Sequence, residues 1–380
     1  MKKTLIALAA LAATGATFAQ ATISGAFGMS WQQDPAFTTS GGHTQGLRVQ
    51  DGEIYLTATE DLGGGMSATA RGGFTMRGRG TAIVDRDGTV TLAGPLGSLT
   101  AGAVRSCGNL VTVQSGVVTG TAYSANETQN AIPLDKCSMV DVVAFTAPVG
   151  PVMLTGTYGE FGSRIADTSS SDAGNATGIT FTDVQGVYKA GPLMLGANAT
   201  FFAAVGTYKI IDGQVRTRFF GSYDAGVAKL GAGYQIKTGG AADQYVASVA
   251  VPMGNTTLGL DYTARMAQGT FDNGTSGAAA AYALGSARDG DKASSSLGVG
   301  MTYSFSKTTS LNVSYITYTD AGANSKYGTP VAASAQVMND AAVGLTPTVK
   351  TAAVAANNFP AGTTSAILDT EYRIRLMKTF

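Results

Sequence analysis

Residues 66–77 read MSATARGGFTMR, and apolar and polar side chains alternate along most of this stretch. One face of the stretch collects Met66, Ala68, Ala70, Phe74 and Met76. The opposite face carries Ser67, Thr69, Arg71, Thr75 and Arg77. Alternation with a period of two predicts a β-strand with one apolar and one polar face. Because the polar face includes full charges, we expect it to contact water.

The same alternation recurs along the whole chain. Sixteen segments follow it: 21–32, 47–59, 66–76, 87–93, 98–105, 138–147, 152–161, 181–189, 193–203, 214–223, 229–237, 244–251, 256–266, 294–304, 309–319 and 367–380. Short connections, most of them with Gly or Pro, alternate with long polar ones, which are 33–46, 106–137, 162–180, 267–293 and 320–366. An even number of strands with short turns at one end and long loops at the other is typical of a bacterial outer-membrane β-barrel.

Two soluble all-β folds are the alternatives to a membrane barrel. A β-solenoid would show a fixed period of about 20–50 residues, and the sequence has none. A β-sandwich would seldom combine so many continuous apolar faces with long polar loops gathered at one end. The pattern therefore favours a sixteen-stranded antiparallel transmembrane barrel.

Composition excludes several functional classes. The chain has 25 Lys and Arg against 25 Asp and Glu, and this neutrality argues against a nucleic-acid partner. With 44% hydrophobic residues the chain is too apolar to be disordered. A single histidine, His43, and two distant cysteines leave no cluster for zinc or iron and no Ser/His pair for nucleophilic catalysis. We expect no catalytic residue, no metal site and no cofactor.

Residues 1–19 predict a secretory signal peptide. Lys2 and Lys3 begin it, and 4–13 form an apolar run within the usual length of about 7–15 residues. Cleavage is expected after Ala19, with Ala21 as a second candidate. The run is shorter than the ~20 residues of a spanning helix. The predicted organisation is a signal peptide, 1–19, and a barrel, 20–380, exported through the periplasm to the outer membrane.

Two turns resemble those of the Gram-negative general porins, especially the β-proteobacterial branch. Residues 60–68 read EDLGGGMSA, similar to the family's E-D-L-G-G-G turn, and 94–102 read GPLGSLTAG, similar to its G-x-F-G hairpin. The leader and the terminal Phe380 also fit. The resemblance implies a homotrimer in the outer-membrane bilayer. Ions and small hydrophilic solutes would diffuse through its water-filled channels. It also implies a third long loop folded inward, and a terminal aromatic residue recognised by the outer-membrane insertion machinery.

The candidate functional residues are charges that line a pore. Rings of arginine favour anions and rings of acids favour cations. The candidate cations are Arg48, Arg71, Arg86, Arg105, Arg216, Arg218, Arg373 and Arg375, with Arg71 the leading one. The opposing acids are Glu53, Glu127, Asp135 and Asp141. The alternative is that many of these charged side chains only keep the loop ends in contact with water or pair with one another.

Some of these positions depart from the family pattern. Glu53 stands where the family often has arginine, and Ala103 stands where its hairpin often has another. Arg105, two residues later, shares the parity of Leu99 and faces inward only if the strand bulges or has ended. By the resemblance, Arg86 takes the place of the arginine in the family's N-R-Q-A strand start. Since the arginine series is incomplete, we expect weak anion selectivity.

The two cysteines bracket the third long loop. Cys107 follows the fifth predicted strand and Cys137 precedes the sixth. In an oxidising periplasm an even pair is expected to form a disulfide, which would hold the base of that loop. Two free thiols without a role are the alternative.

Three functions remain to be compared. The first is a porin for passive diffusion. The second is an adhesin or structural barrel with a closed lumen, whose long loops bind a partner. The third, an outer-membrane enzyme, is disfavoured by the single histidine.

Overall fold

The structure is a computed structural model that describes residues 20–33, 45–76, 84–106, 108–119, 138–161, 178–204, 212–238, 243–266, 294–319 and 370–380. The first eight strands found there are β1 (Gln20–Gln33), β2 (Gln45–Gly63), β3 (Met66–Thr75), β4 (Val84–Gly94), β5 (Gly97–Ser106), β6 (Ser138–Val149), β7 (Val152–Phe161) and β8 (Ile179–Ala190). The other eight are β9 (Leu193–Ala204), β10 (Val215–Asp224), β11 (Lys229–Lys237), β12 (Gln244–Met253), β13 (Thr256–Arg265), β14 (Ser294–Ser306), β15 (Thr309–Thr319) and β16 (Thr370–Thr379). A short 3-10 helix, Asn109–Val113, follows β5.

The strands form one closed antiparallel barrel. Each strand pairs with its neighbours in sequence, and β1 pairs with β16 to close the ring. At the seam, Gly25 N–H donates to the Phe380 carbonyl at 3.0 Å, and Phe380 N–H donates to the Gly25 carbonyl at 3.1 Å. Closure leaves no strand edge, which is the condition for a β-structure in lipid. The predicted sixteen-stranded antiparallel barrel is confirmed, and the sandwich and solenoid alternatives are wrong.

Strand ends differ from the prediction where the ladder continues into a turn. β2 runs on to Gly63 because Glu60 and Asp61 still pair with Ala68 and Ser67. The reversal is left to Gly63, Gly64 and Gly65, whose φ angles are 79°, 63° and 77°. These left-handed values are readily adopted by glycine alone, which explains the run of three glycines.

Within the described parts of the chain, no helix is long and apolar enough to cross a membrane.

The two faces of the barrel have opposite chemistry. Large apolar side chains point outward, among them Ile23, 65% exposed, and Val90, 60% exposed. Polar side chains such as Gln235, Gln244 and Thr263 are buried inside. A soluble barrel has the reverse arrangement, whereas apolar-out and polar-in is the pattern of a barrel in a bilayer.

Candidate functional site: the inner face and the segment that crosses it

Residues 108–119, the described part of the connection after β5, lie against the inner face of the barrel. At one end, Asn109 Nδ2 donates to Gln185 Oε1 on β8 at 3.2 Å and to Asn198 Oδ1 on β9 at 3.0 Å. At the other end, Thr119 Oγ1 donates to Asn312 Oδ1 on β15 at 2.6 Å. The segment therefore lies inside the lumen and follows the inner wall from β8 to β15. We call it the crossing segment.

Asp261 of β13 fixes the middle of the crossing segment. Its Oδ1 accepts from the Ser115 backbone N–H at 2.8 Å, and its Oδ2 accepts from the Ser115 hydroxyl at 2.9 Å. Asp261 is only 2% exposed. A buried carboxylate needs such donors, and hydrogen bonds to a charged group are the stronger ones.

Further bonds secure the second half of the segment to the same wall. Asn312 Nδ2 donates to the Val117 carbonyl at 2.7 Å, and Ser314 Oγ donates to the Thr119 carbonyl at 2.7 Å. Between them, these bonds satisfy carbonyls of a backbone that belongs to no sheet. The position of the segment is thus determined by side chains of distant strands.

Glycines on the inner face allow the crossing segment to lie close to the wall. A Cβ at Gly231 would stand 1.9 Å from the Val113 carbonyl oxygen, and one at Gly298 would stand 2.4 Å from a methyl carbon of Val118. Any larger residue at these positions would push the segment into the lumen. Neither these two glycines nor Asp261 was predicted from the sequence. The sequence signal that could have indicated these positions is a glycine on the polar face of a strand whose other side chains are larger.

Arg71 lies on the inner face of β3, on the polar side of the alternation. Its Nη1 is 3.7 Å from Asp87 Oδ2 of β4. Its guanidinium carbon lies 3.9 Å from the centre of the Tyr55 ring on β2. The side chain is 41% exposed, so the charge is solvated and its field reaches the lumen.

The last strand brings two arginines to the inner face beside β1 and β2. Arg375 Nη1 is 3.2 Å from Asp51 Oδ1. Asp51 itself faces Gly28 of β1, where a Cβ would stand 2.0 Å from its Oδ2. Arg373, two residues before Arg375, shares its inner face and is fully buried.

The other predicted charges on described strands also have inner positions. Arg48 pairs in the ladder with the buried, inner Ser30 of β1. Glu53 Oε2 accepts from the Tyr55 hydroxyl at 3.3 Å. Arg216 and Arg218 alternate with the outward Phe219 on β10.

Two predicted pore charges lie on the outer face instead. β5 pairs with β6 from Ser98 to Ser106 without a register shift, so Arg105 stays on the outward side with Leu99. The bulge or strand end that an inward Arg105 required is not there. Asp141 is exposed on β6 and alternates in the same way with the outward Val143. The inward positions predicted for Arg105 and Asp141 are therefore wrong, because strand parity holds through both strands.

Several predicted residues fall outside what the structure describes. Arg86 lies within β4, but its side chain is not among the described ones. The residues Glu127, Asp135, Cys107 and Cys137 lie outside the described residues altogether.

A closed barrel with an apolar exterior, a charged interior and a chain segment inside its lumen defines the class of outer-membrane channels. The profile of the Gram-negative porin family matches residues 4–323. The chain belongs to the Gram-negative porin family. It is an outer-membrane channel for passive diffusion of solutes and not an enzyme.

Solved porin structures have the same fold. The anion-selective porin from Comamonas acidovorans is 16% identical, with 95% of this chain and 100% of that chain covered and a TM-score of 0.56. A triple mutant of the Rhodopseudomonas blastica porin is 12% identical, with 95% and 100% covered and a TM-score of 0.58. A loop-deletion mutant of a Vibrio cholerae outer membrane protein is 9% identical, with 95% and 99% covered and a TM-score of 0.56. No curated protein matches the chain.

Proposed function

We propose that this porin is a weakly anion-selective channel whose narrowest part lies between the crossing segment and the arginine-bearing wall of β2–β4. The observation that carries the proposal is the attachment of Ser115 to Asp261, which keeps the crossing segment inside the lumen. With that segment against β8–β15, solutes pass along the opposite wall. Arg71 stands on that wall.

The balance of inner charges supports weak rather than strong selectivity. Arg71 and Arg375 each have an acid nearby, Asp87 at 3.7 Å and Asp51 at 3.2 Å. Glu53 adds another negative charge on the same side. Since each pair partly cancels its own field, Arg71 and Arg375 each contribute only a small attraction for a passing anion.

We propose that the channel is a homotrimer whose subunits meet at the outer face of β2–β5. That face includes the small, exposed Ala58, Ala70 and Ala101 among aliphatic residues such as Leu56 and Leu99. On β10–β16, large aromatic side chains such as Phe219, Tyr303 and Tyr315 point outward instead. Aromatic residues suit contact with the membrane interface, whereas a face of alanines and aliphatic residues suits contact with another barrel.

Export and assembly follow the route that the sequence predicts. We propose that the leader, 1–19, is removed in the periplasm and that the insertion machinery of the outer membrane recognises the terminal Phe380. A disulfide between Cys107 and Cys137 would form on the same route. The strands that flank these cysteines end side by side, since Ser106 pairs with Ser138 in the β5–β6 ladder.

Planar-bilayer recording tests the proposed channel. Purified protein should insert with large, persistent conductance steps, and a salt gradient should give a reversal potential slightly on the anion side. A silent protein would favour a barrel with a closed lumen. A strongly cation-selective current would contradict the proposed sign of selectivity while leaving the channel in place.

A further inference from the structure

A cavity of about 400 Å³ lies between the start of the crossing segment and the inner wall of β5–β10. Gly108 and Asn109 border it on the lumen side, and strands β5–β10 form its other walls. Its volume falls at the lower end of the range of about 300–1,000 Å³ for small-molecule sites. We call it the side cavity. The side cavity has one apolar wall and one positively charged wall, and this combination differs from the wall of the pore that carries Arg71.

One wall of the side cavity is apolar. Phe161 of β7 and Phe181 of β8 line it, and the centres of their rings are 5.3 Å apart. Phe202 of β9 packs behind them, with its ring centre 6.3 Å from that of Phe161. These rings belong to a buried apolar cluster that includes Val140 and Ile179. Such a cluster is unexpected on the inner, polar face of a channel.

Glycine makes room for the aromatic wall. Gly159 of β7 pairs with Phe181 in the ladder, and a Cβ at Gly159 would stand 2.2 Å from the tip of the Phe181 ring. The Phe181 ring therefore lies flat across the neighbouring strand. The wall offers apolar ring surface, chiefly that of the half-buried Phe161, against which a planar group can pack.

The facing wall carries two positive charges. Arg216 and Arg218 both line the side cavity, because they are two residues apart on β10 and share its inner face. The guanidinium carbon of Arg216 lies 5.2 Å from the centre of the Phe202 ring, which connects the charged wall to the aromatic one. Guanidinium groups are well suited to bind carboxylates.

The one acid among the described lining residues is already engaged by neutral donors. Asp183 Oδ1 accepts from Asn198 Nδ2 at 2.6 Å and from Thr200 Oγ1 at 2.6 Å. The described lining residues thus include two arginines and a single carboxylate. The side cavity is suited to an anion rather than to a cation.

We propose that the side cavity binds small carboxylates that carry an aromatic ring, with the carboxylate at Arg216 and Arg218 and the ring against Phe161 and Phe181. This inference deepens the proposed function, because the ligand reaches the cavity from the pore. Neither wall is sufficient alone. An aliphatic acid such as acetate lacks the ring, and a neutral aromatic alcohol lacks the charge.

The first test uses the unmodified protein and three ligands. Phenylacetate, acetate and 2-phenylethanol are each titrated into detergent-solubilised protein by calorimetry, and each is added to a single channel carrying KCl current. Phenylacetate should bind saturably and reduce the current, at least about tenfold more tightly than either of the other two ligands, because only phenylacetate uses both walls. Equal affinities for phenylacetate and acetate would overturn the proposal.

The second test uses matched variants. Arg216→Gln and Phe161→Leu should each weaken phenylacetate binding about tenfold. Phe219→Leu, which removes an outward ring next to Arg218 in the chain, should change the affinity less than twofold. Unchanged phenylacetate affinity in Arg216→Gln would also overturn the proposal, even if Phe161→Leu does not fold.

The outcomes separate this inference from the proposed function. A protein that passes KCl current but does not discriminate phenylacetate from acetate would overturn the side cavity and leave the channel in place. A protein that binds phenylacetate by calorimetry but passes no current would overturn the proposed channel and support the side cavity.

Discussion

Ser115 donates two hydrogen bonds to the single carboxylate of Asp261, one from its backbone N–H and one from its hydroxyl. The two residues are 146 positions apart in the chain. This pair joins a segment without regular sheet structure to the rigid wall of the barrel. Its loss should change the motion of the segment more than the stability of the fold.

Removing the Asp261 carboxylate should release the middle of the crossing segment. Each hydrogen bond to a charged group contributes about 1.5–3 kcal/mol, so Asp261→Ala should raise the frequency of brief current interruptions at least about tenfold. Single-channel recording at fixed voltage measures that frequency. Asp243→Ala is the control, since Asp243 bonds Tyr234 and the Lys237 backbone at the rim and has no bond to the segment among the described contacts. Equal noise in the two variants would contradict this role for Asp261.

Reversing the charge at Arg71 should reduce the preference for anions. At about 10 Å in water one unit charge contributes about 0.4 kcal/mol, so Arg71→Glu should lower the anion-to-cation permeability ratio about two- to fivefold after salt screening. The reversal potential in a KCl gradient gives this ratio. Arg105→Glu carries the same charge change on the outer face and should leave the ratio unchanged. A larger shift from Arg105 than from Arg71 would refute the assignment of the two faces.

The sequence predicted the strands well and the crossing contacts not at all. Alternation is a local property, so the residues of 66–77 show their two faces without any knowledge of their partners. Parity alone groups Arg105 with Leu99, and the pore-lining position predicted for Arg105 required a bulge or strand end that the β5–β6 ladder lacks. The role of Asp261 depends on Ser115, far away in the chain, and no local sequence pattern predicts such a contact. The need for glycine at position 231 is equally invisible in the local sequence, because it comes from the backbone carbonyl of Val113, in another part of the chain.

A bulky residue on the outer face of β3 should prevent trimer formation. Ala70→Phe places a ring where the proposed subunit contact needs a flat surface, and overpacking of this kind costs about 1–3 kcal/mol. Ala247→Phe places the same ring on the outer face of β12, beside its ladder partner Tyr262, where the ring should be tolerated. The mass of the unheated, detergent-solubilised protein reports the number of subunits. Trimers of Ala70→Phe as stable as those of Ala247→Phe would rule out β3 as part of the interface.

Cys107 and Cys137 should form a disulfide. The described ladder ends at Ser106 and Ser138, which are paired neighbours, and paired strands bring Cα atoms into the range of about 4.4–6.8 Å that a disulfide needs. Closing a ring of about 30 residues would stabilise the fold by roughly 3–4 kcal/mol in the loop-entropy description. A thiol count on denatured, unreduced protein should find none, and two free thiols would end the hypothesis. If the bond forms, replacing both cysteines by serine should raise single-channel noise, while identical traces would limit the bond to a role in stability.

Phe380 should be required for assembly of the barrel. Its backbone exchanges two hydrogen bonds with Gly25, and its ring stacks on Phe27 with 6.0 Å between the ring centres. Phe380→Ala should therefore reduce the amount of folded barrel in the outer membrane several-fold while synthesis continues. The amount of heat-modifiable protein on a gel, compared with total protein, measures this loss.

The control for the terminal residue is Phe305→Ala. Phe305 is also an exposed aromatic side chain, 59% against 49% for Phe380, and lies near the end of β14 beside the short turn to β15. Its removal takes away a similar area of apolar surface but leaves the chain terminus intact. If simple loss of apolar surface matters, the two variants should lose folded barrel equally. If the insertion machinery recognises the terminal aromatic residue, only Phe380→Ala should fail in cells, and both variants should still fold when refolded into detergent. Full assembly of Phe380→Ala in cells would show that the terminal ring serves neither recognition nor closure.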